Sequence, residues 1–566
     1  MVDLLKRLKP EGGGWSQNAM ILVMTMALAV SILLPLGELV GKAVTDQEGH
    51  FIGLQHFIRY FSTPALVASL WNSIYVSAIT TVISVTFGFG VAFALERSGI
   101  RGKWFFRAVM LLPLFAPSML HGLSLIYLFG NQGLISTGFF GVLPEFRIDL
   151  YGPTGIVMAE VLYTFPQAFL MMSIALAGAD FRLYEAADTL GASKWRTFWT
   201  VTVPSVKFAL ISAILVCFVL TFTDFGAPKV VGGQFNVLAT DLYKQVIGQQ
   251  NMGLGSAVGV LLLIPAVLSF AADRIFQKKQ SGWISSKSTP YRIANRKLRD
   301  TLLFLLCSTV AAVILGIILV AIYGSLVQVW PYNFSISLAH YEGFLEKGGP
   351  FANSLVIALG SAVIGTALTF VFAYLIEKSR GYALLRQAGY FLSMLPMALP
   401  GLVLGLIYVF YFNNPNGPLH GLYGTIWILF LCNIVHFYSV SFLTMTSALK
   451  KLDNEFEAAS ESMNVPWYRT LLKVTLPLSF PALLEVFVYY FINSMVTVSA
   501  IIFLYAPDLK PAAVAIVNME DSGEIAPAAA MSTLIIATNL LLRSAVMWVT
   551  RRQRKKAEAY LAKKED

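Results

Sequence analysis

Long apolar runs separated by short polar stretches make up most of this chain. A run that crosses a hydrocarbon core of roughly 30 Å needs about 20 residues, and about twelve runs reach that length. They cover residues 18–41, 69–95, 106–129, 152–179, 205–226 and 254–276, then 301–329, 352–376, 387–412, 423–449, 479–505 and 526–549. The pattern predicts an all-α integral membrane protein with about twelve transmembrane helices. The first run follows Lys6, Arg7 and Lys9 and is too long for a removable signal peptide, so it reads as a retained helix.

The pattern also repeats. Residues Trp71 to Ser98 align without a gap on Ala352 to Ser379, placing Asn72, Ser73, Ala92, Glu96 and Ser98 on Asn353, Ser354, Ala373, Glu377 and Ser379. LPLFAPSMLHGL, with Pro113, Pro117 and Gly122, matches LPMALPGLVLGL, with Pro396, Pro400 and Gly405. Six spans per half imply two parallel repeats about an axis along the membrane normal. The expected organisation is a first half at 1–276, a basic linker at 277–300, a second half at 301–550 and a basic tail at 551–566.

Composition agrees, at 57% hydrophobic and only 13% charged residues, and the formal charge is +10. That charge is topological. Lys278, Lys279, Lys287, Arg292, Arg296, Lys297 and Arg299 fill the linker, Arg551, Arg552, Arg554, Lys555 and Lys556 follow the last span, and Arg97, Arg101, Lys103 and Arg107 lie between spans two and three. All fall on one side if spans alternate, and the positive-inside rule makes that side cytoplasmic, with both termini there and no role for nucleic acid. Cys217, Cys307 and Cys432 lie inside apolar spans and read as small buried hydrophobes. No His, Cys or acidic cluster has metal-ligand spacing, and nothing calls for a cofactor or a catalytic residue.

Two polar islands interrupt the apolar pattern at equivalent places, EAADTLGASKWRTFWTVTVP from Glu185 and EAASESMNVPWYRTLLKVTLP from Glu457. Each predicts a short helix capped by Asp180 or Asp453, a bend, and a second helix whose first turn holds Pro204 or Pro477. Paired alanines leave a flat patch where another backbone can approach, and the glutamate adds a charge at a fixed place. Two such surfaces on two homologous halves suit docking of a partner better than resting on a bilayer.

These islands resemble the EAA loop of permease subunits of binding-protein-dependent ABC importers, whose pattern is EAAxxxG followed by a hydrophobic residue and Pro. The resemblance covers both halves and implies two permease subunits fused in one chain, with type I importer architecture. It implies loops at 181–204 and 453–477 that insert coupling helices into two separate ATPase subunits, and an extracytoplasmic solute-binding protein that delivers substrate. The chain has no G-x-x-x-x-G-K-[ST] of its own. The implied coupling residues are Glu185, Ala186, Ala187 and Gly191, and Glu457, Ala458, Ala459 and Asn464. In the second copy Met463 takes the glycine position and one extra residue lies before Arg469; Asn464 can take left-handed geometry, so a bend is expected to survive at a different angle, with the first loop the better-formed coupling helix.

Polar residues within spans point to a pathway. Glu160, its repeat counterpart Asn433, His436 and Asp224 are the candidates, each weighed against a buried hydrogen-bonding or turn role. The fused layout is similar to permeases for ferric iron, thiamine and 2-aminoethylphosphonate. The stretch Asn493 to Ser532 looks most like the 2-aminoethylphosphonate group, with ferric iron as the alternative. A secondary transporter would not need the paired loops, and a membrane enzyme would gather its polar groups at one face.

Overall fold

Within hydrocarbon a backbone N–H finds a partner only inside its own helix, so the apolar runs fold as helices. The computed structural model describes residues 15–281, 289, 291–293, 296–344, 346, 348–379 and 382–565. Lys6, Arg7, Lys9 and Lys287, and the side chains of Lys278, Lys279, Arg554, Lys555 and Lys556, lie outside the described part. Among the described residues ten helices are long and apolar enough to cross a membrane, or up to twelve if each of two bent pairs counts as one span.

The first half runs α1 (Trp15–Val44), α2 (Pro64–Arg97), α3 (Lys103–Leu111), α4 (Ser118–Phe129), α5 (Pro153–Ala177), α6 (Arg182–Thr189), α7 (Lys194–Thr223) and α8 (Met252–Ser281). The second runs α9 (Lys297–Leu326), α10 (Pro350–Lys378), α11 (Ala383–Met394), α12 (Gly401–Phe412), α13 (Ile426–Leu449), α14 (Glu455–Ser462), α15 (Trp467–Val496) and α16 (Ile525–Glu565). After α9 a two-stranded antiparallel hairpin pairs Val327–Val329 with Asn333–Ile336.

The structure keeps the repeat down to single hydrogen bonds. The Ser73 hydroxyl accepts from Leu238 N at 2.7 Å, and the Ser354 hydroxyl accepts from Ala512 N at 2.7 Å. The Asn72 amide donates to Asn236 O, and the Asn353 amide to Asp508 O. Each Asn-Ser pair thus ties the start of a span to the backbone that follows α7 or α15. Gly122 and Gly405 match as well, because a Cβ there would lie 3.0 Å from Val230 or 2.6 Å from the Ala500 carbonyl oxygen.

The structure corrects three expectations. The runs at 106–129 and 387–412 are not straight spans, since α3 and α4 meet at 103° and α11 and α12 at 110°. Pro117 and Pro400 explain this, because each forces its predecessor out of helical geometry. Ala116 has φ −105° and ψ 144°, and Leu399 has φ −101° and ψ 114°.

The spans expected at 205 and 479 begin earlier, as continuous helices from Lys194 and Trp467. Within these longer helices Pro204 and Pro477 stand in the first turn of the α-helical segments Val203–Thr223 and Leu476–Val496. A π-helical turn precedes each, at Phe198–Thr202 and Leu471–Thr475, and loosens the ladder where proline removes a donor and crowds a carbonyl.

The compact units also depart from the linear halves. One unit joins α1 as far as Lys42 to Gly343–Ala515 and the chain from Leu534 onward, and the other joins Ala43–Glu342 to Ile516–Thr533. The outer helices are exchanged. In the one unit, Asn18 accepts from Tyr382 N at 3.2 Å, and the Thr25 hydroxyl oxygen lies 3.0 Å from where a Cβ on Gly389 would stand. In the other, Phe304 of α9 meets Phe106 edge-on at 5.6 Å, and the Tyr127 hydroxyl donates to Gly324 O at 3.4 Å. A helix apolar on all sides carries no stripe that names its neighbour, so chain order is a poor guide to packing here.

Candidate functional site: the paired loop helices

In the first loop, Asp180 accepts from Arg182 N at 3.1 Å and opens α6. The Arg182 N–H foremost, then the hydroxyl and N–H of Thr289, hold this carboxyl below its ordinary range. The inner face of α6 is buried through Tyr184 and Ala187. The Tyr184 hydroxyl donates to the Thr202 oxygen at 3.2 Å. Beneath it lies Arg97, only 2% exposed, which donates to Leu176 O at 2.8 Å and has its guanidinium 5.3 Å from the Tyr184 ring centre. Gly191 ends the helix at φ +69°, and Ala192 N returns to Ala187 O at 3.0 Å. That left-handed closure satisfies an orphan carbonyl and sets the bend.

The second loop closes the same way. Asp453 accepts from Glu455 N at 3.1 Å, Asn464 has φ +54°, and Val465 N returns to Ser460 O at 2.8 Å. Asn tolerates the left-handed region better than most residues. The bend is therefore present in both copies, with Asn464 supplying in the second the left-handed residue that Gly191 supplies in the first.

The geometry also corrects the pairing of residues. Asp180, Gly191, Arg196 and Pro204 fall on Asp453, Asn464, Arg469 and Pro477 with nothing inserted, and α6 and α14 occupy matching positions. Met463 therefore matches Leu190, not Gly191. Ala186 falls on Ala459 and Glu185 on Ala458, while Glu457 takes the inward position of Tyr184. Its carboxyl is raised above the ordinary range by burial, against the opposing pull of Lys378. Lys378 reaches the loop directly, its Nζ donating to Leu452 O and Asn454 Oδ1 at 2.6 Å each. The Glu-Ala-Ala letters have slipped by one residue on a helix that has not moved.

Correct pairing exposes a feature absent from the motif. Leu183, Ala186 and Leu190 share the outer face of α6, and Phe456, Ala459 and Met463 share that of α14. Leu190 is 85% exposed and Met463 69%. Leu183 and Phe456 are exposed too, as are Trp195 and Tyr468 at the start of the next helix. The i, i+3, i+7 spacing of large, Ala, large was readable in both copies.

Residues 84–282 and 369–555 each match the family described as binding-protein-dependent transport system inner membrane component. The chain belongs to this family. Among curated relatives, the ferric transport system permease protein FbpB of Actinobacillus pleuropneumoniae is 27% identical over 89% of this chain and 74% of its own length. A putative ferric transport system permease of Haemophilus influenzae is 29% identical over 82% of this chain and 74% of its own. A chain of a bacterial alginate ABC transporter covers 47% of this chain and 95% of its own, with TM-score 0.39 and 16% identity. This chain is thus a multi-pass inner-membrane ABC importer permease with both family repeats in one polypeptide.

The permease's candidate pathway residues are divided between its two units. Glu160 is wholly buried in α5, and among the described residues no hydrogen-bond partner meets its carboxyl oxygens. Asp224, in the same unit, closes the end of α7, accepting from Ser118 Oγ at 3.1 Å and from Ala227 N at 2.9 Å. Asn433 and His436 are both on α13, where the Asn433 amide and His436 Nδ1 are buried without partners among the described residues. Cys217, Cys307 and Cys432 are all free and buried.

Proposed function

We propose that this permease imports ferric iron handed over by an extracytoplasmic solute-binding protein, driven by two separate ATPase subunits that dock on α6 and α14. The observation that carries the docking is the pair of matched apolar faces, Leu183, Ala186 and Leu190 on one loop and Phe456, Ala459 and Met463 on the other. Large apolar side chains held out on short, capped helices favour a protein groove. The chain's lack of a P-loop calls for a partner that hydrolyses ATP. On this reading both loops and both termini are cytoplasmic, in keeping with the basic residues on that side.

For the substrate, relatives whose names specify ferric transport span most of the chain, which favours ferric iron over 2-aminoethylphosphonate. Glu160 and Asp224, with Asn433 and His436, are proposed to line the path. The hard carboxylate oxygens of the first pair suit a ferric complex.

The test is uptake into proteoliposomes holding the permease, its ATPase and a loaded binding protein. Ferric iron should enter on ATP addition and 2-aminoethylphosphonate should not. Leu190→Arg with Met463→Arg should cut ATPase co-purification roughly tenfold or more, since each change removes a buried apolar contact. Uptake that proceeds without the ATPase would sink the importer reading, and uptake of the phosphonate alone would sink the substrate.

A further inference from the structure

The segment joining the two halves touches the first loop at defined atoms. Asp180 Oδ1 accepts from Thr289 Oγ1 at 2.9 Å and from Thr289 N at 3.3 Å. Phe181 N donates to Thr289 O at 3.0 Å, so Thr289 bonds both residues that lead into α6. Two residues on, the Tyr291 ring stands edge-on to Phe181 at 5.3 Å and to Tyr184 at 5.0 Å. The Arg97 guanidinium lies 4.0 Å from the Tyr291 ring centre, nearer than to Tyr184. One buried cation thus supports two rings, one from the loop helix and one from the linker.

We propose that Thr289 and Tyr291 are positioning residues for coupling: they strap α6 to Arg97 at the end of α2, so that movement of the docked helix is passed to the membrane spans. This rests on the reading of α6 as an ATPase-docking helix. A short helix with one buried face would otherwise be held by Tyr184 and Ala187 and by its two chain ends. The strap adds three hydrogen bonds at its first residues and a ring against its inner aromatic. Arg97 extends the connection to the last turn of α5 through Leu176 O. In the second half, Lys378 links span to loop through Leu452 O and Asn454 Oδ1. The linker therefore does more than tether the halves: it forms part of one coupling loop.

The experiment uses the full permease with its ATPase in proteoliposomes and compares Tyr291→Ala, Tyr291→Phe and Thr289→Val with the unaltered chain. The readouts are ATPase co-purification, substrate moved per ATP hydrolysed, and hydrogen exchange across Arg182–Leu190. Tyr291→Ala should keep the ATPase bound but lower substrate moved per ATP about five- to tenfold, the scale of one lost cation–π contact with its neighbouring hydrogen bonds. Exchange across α6 should rise in parallel. Thr289→Val should give a smaller loss, and Tyr291→Phe, which keeps the ring, should restore coupling. An unchanged transport-to-ATP ratio in Tyr291→Ala would overturn the strap, as would equal losses in the Phe and Ala variants. Failure of the ATPase to bind the unaltered chain would instead overturn the docking reading beneath it.

Discussion

The two loop helices have one backbone and two undersides. α6 and α14 start from an Asp, end in a left-handed residue and expose the same apolar face. Beneath α6 lie Tyr184, Arg97 and two residues of the linker; beneath α14 lie Glu457 and Lys378. An aromatic stack over a guanidinium gains from being dry, because burial strengthens its contacts and costs the rings nothing. A carboxyl facing an ammonium that already serves two carbonyl oxygens gains less, because burial disfavours its charge. The outer face therefore meets a common demand, while the inner face records how each half is braced.

The sharpest way to break this comparison is to truncate the matched inward residues. Tyr184→Ala removes a packed ring and the bond to Thr202 and should cost α6 about 3 kcal/mol. Glu457→Ala, at the same place in α14, should cost under about 1 kcal/mol, since its carboxyl is only partly buried and its Oε2 meets no hydrogen-bond partner among the described residues. Local opening free energies from hydrogen exchange across the two helices measure both. Equal costs would mean that the undersides do not differ in the way their contacts suggest.

Much of this was legible beforehand. The repeat and the helical class followed from apolar run length and from polar residues at repeated positions; Asp180 and Asp453, expected as caps, accept from Arg182 N and Glu455 N but stand one residue before the N-cap positions, Phe181 and Asn454. Three things were not. The exchange of α1 and α9 was hidden because uniformly apolar helices carry no directional stripe. The bends at Pro117 and Pro400 were hidden because each half of a bent pair is apolar enough to pass as part of a straight span. The slip of Glu457 was hidden because three matching letters outweighed the longer agreement of Asp180, Gly191, Arg196 and Pro204 with their counterparts. Helix ends fixed by hydrogen bonds decided that register, and they led to Leu190 and Met463.

A smaller effect tests the shared bend. No atom lies within 4 Å of a Cβ built on Gly191, so Gly191→Val should cost only the left-handed backbone penalty, about 1–2 kcal/mol. Asn464→Val should cost about 1 kcal/mol, less because Asn already bears part of that penalty, and Asn464→Gly should be neutral or gain a few tenths. The order of the three, read from the same exchange measurement, is the outcome that matters. A large loss at Gly191 with none for Val at 464 would show that the second loop does not use the left-handed bend.

The smallest expected effect is a loss of protection as pH rises. Burial raises the Glu457 carboxyl above its ordinary value, against a weaker opposing influence from Lys378. The folded loop therefore holds this proton more tightly than the unfolded one. Its contribution is complete below the ordinary glutamate range, about pH 4, and is lost as pH rises through the higher folded value. Protection across Glu455–Ser462, corrected for intrinsic exchange, should accordingly fall between mildly acidic and neutral pH in the unaltered chain. Glu457→Gln removes the titrating proton and should flatten that fall while leaving α6 unchanged. If Gln and Glu lost protection in step, the burial of this carboxyl would not be what distinguishes the second loop from the first.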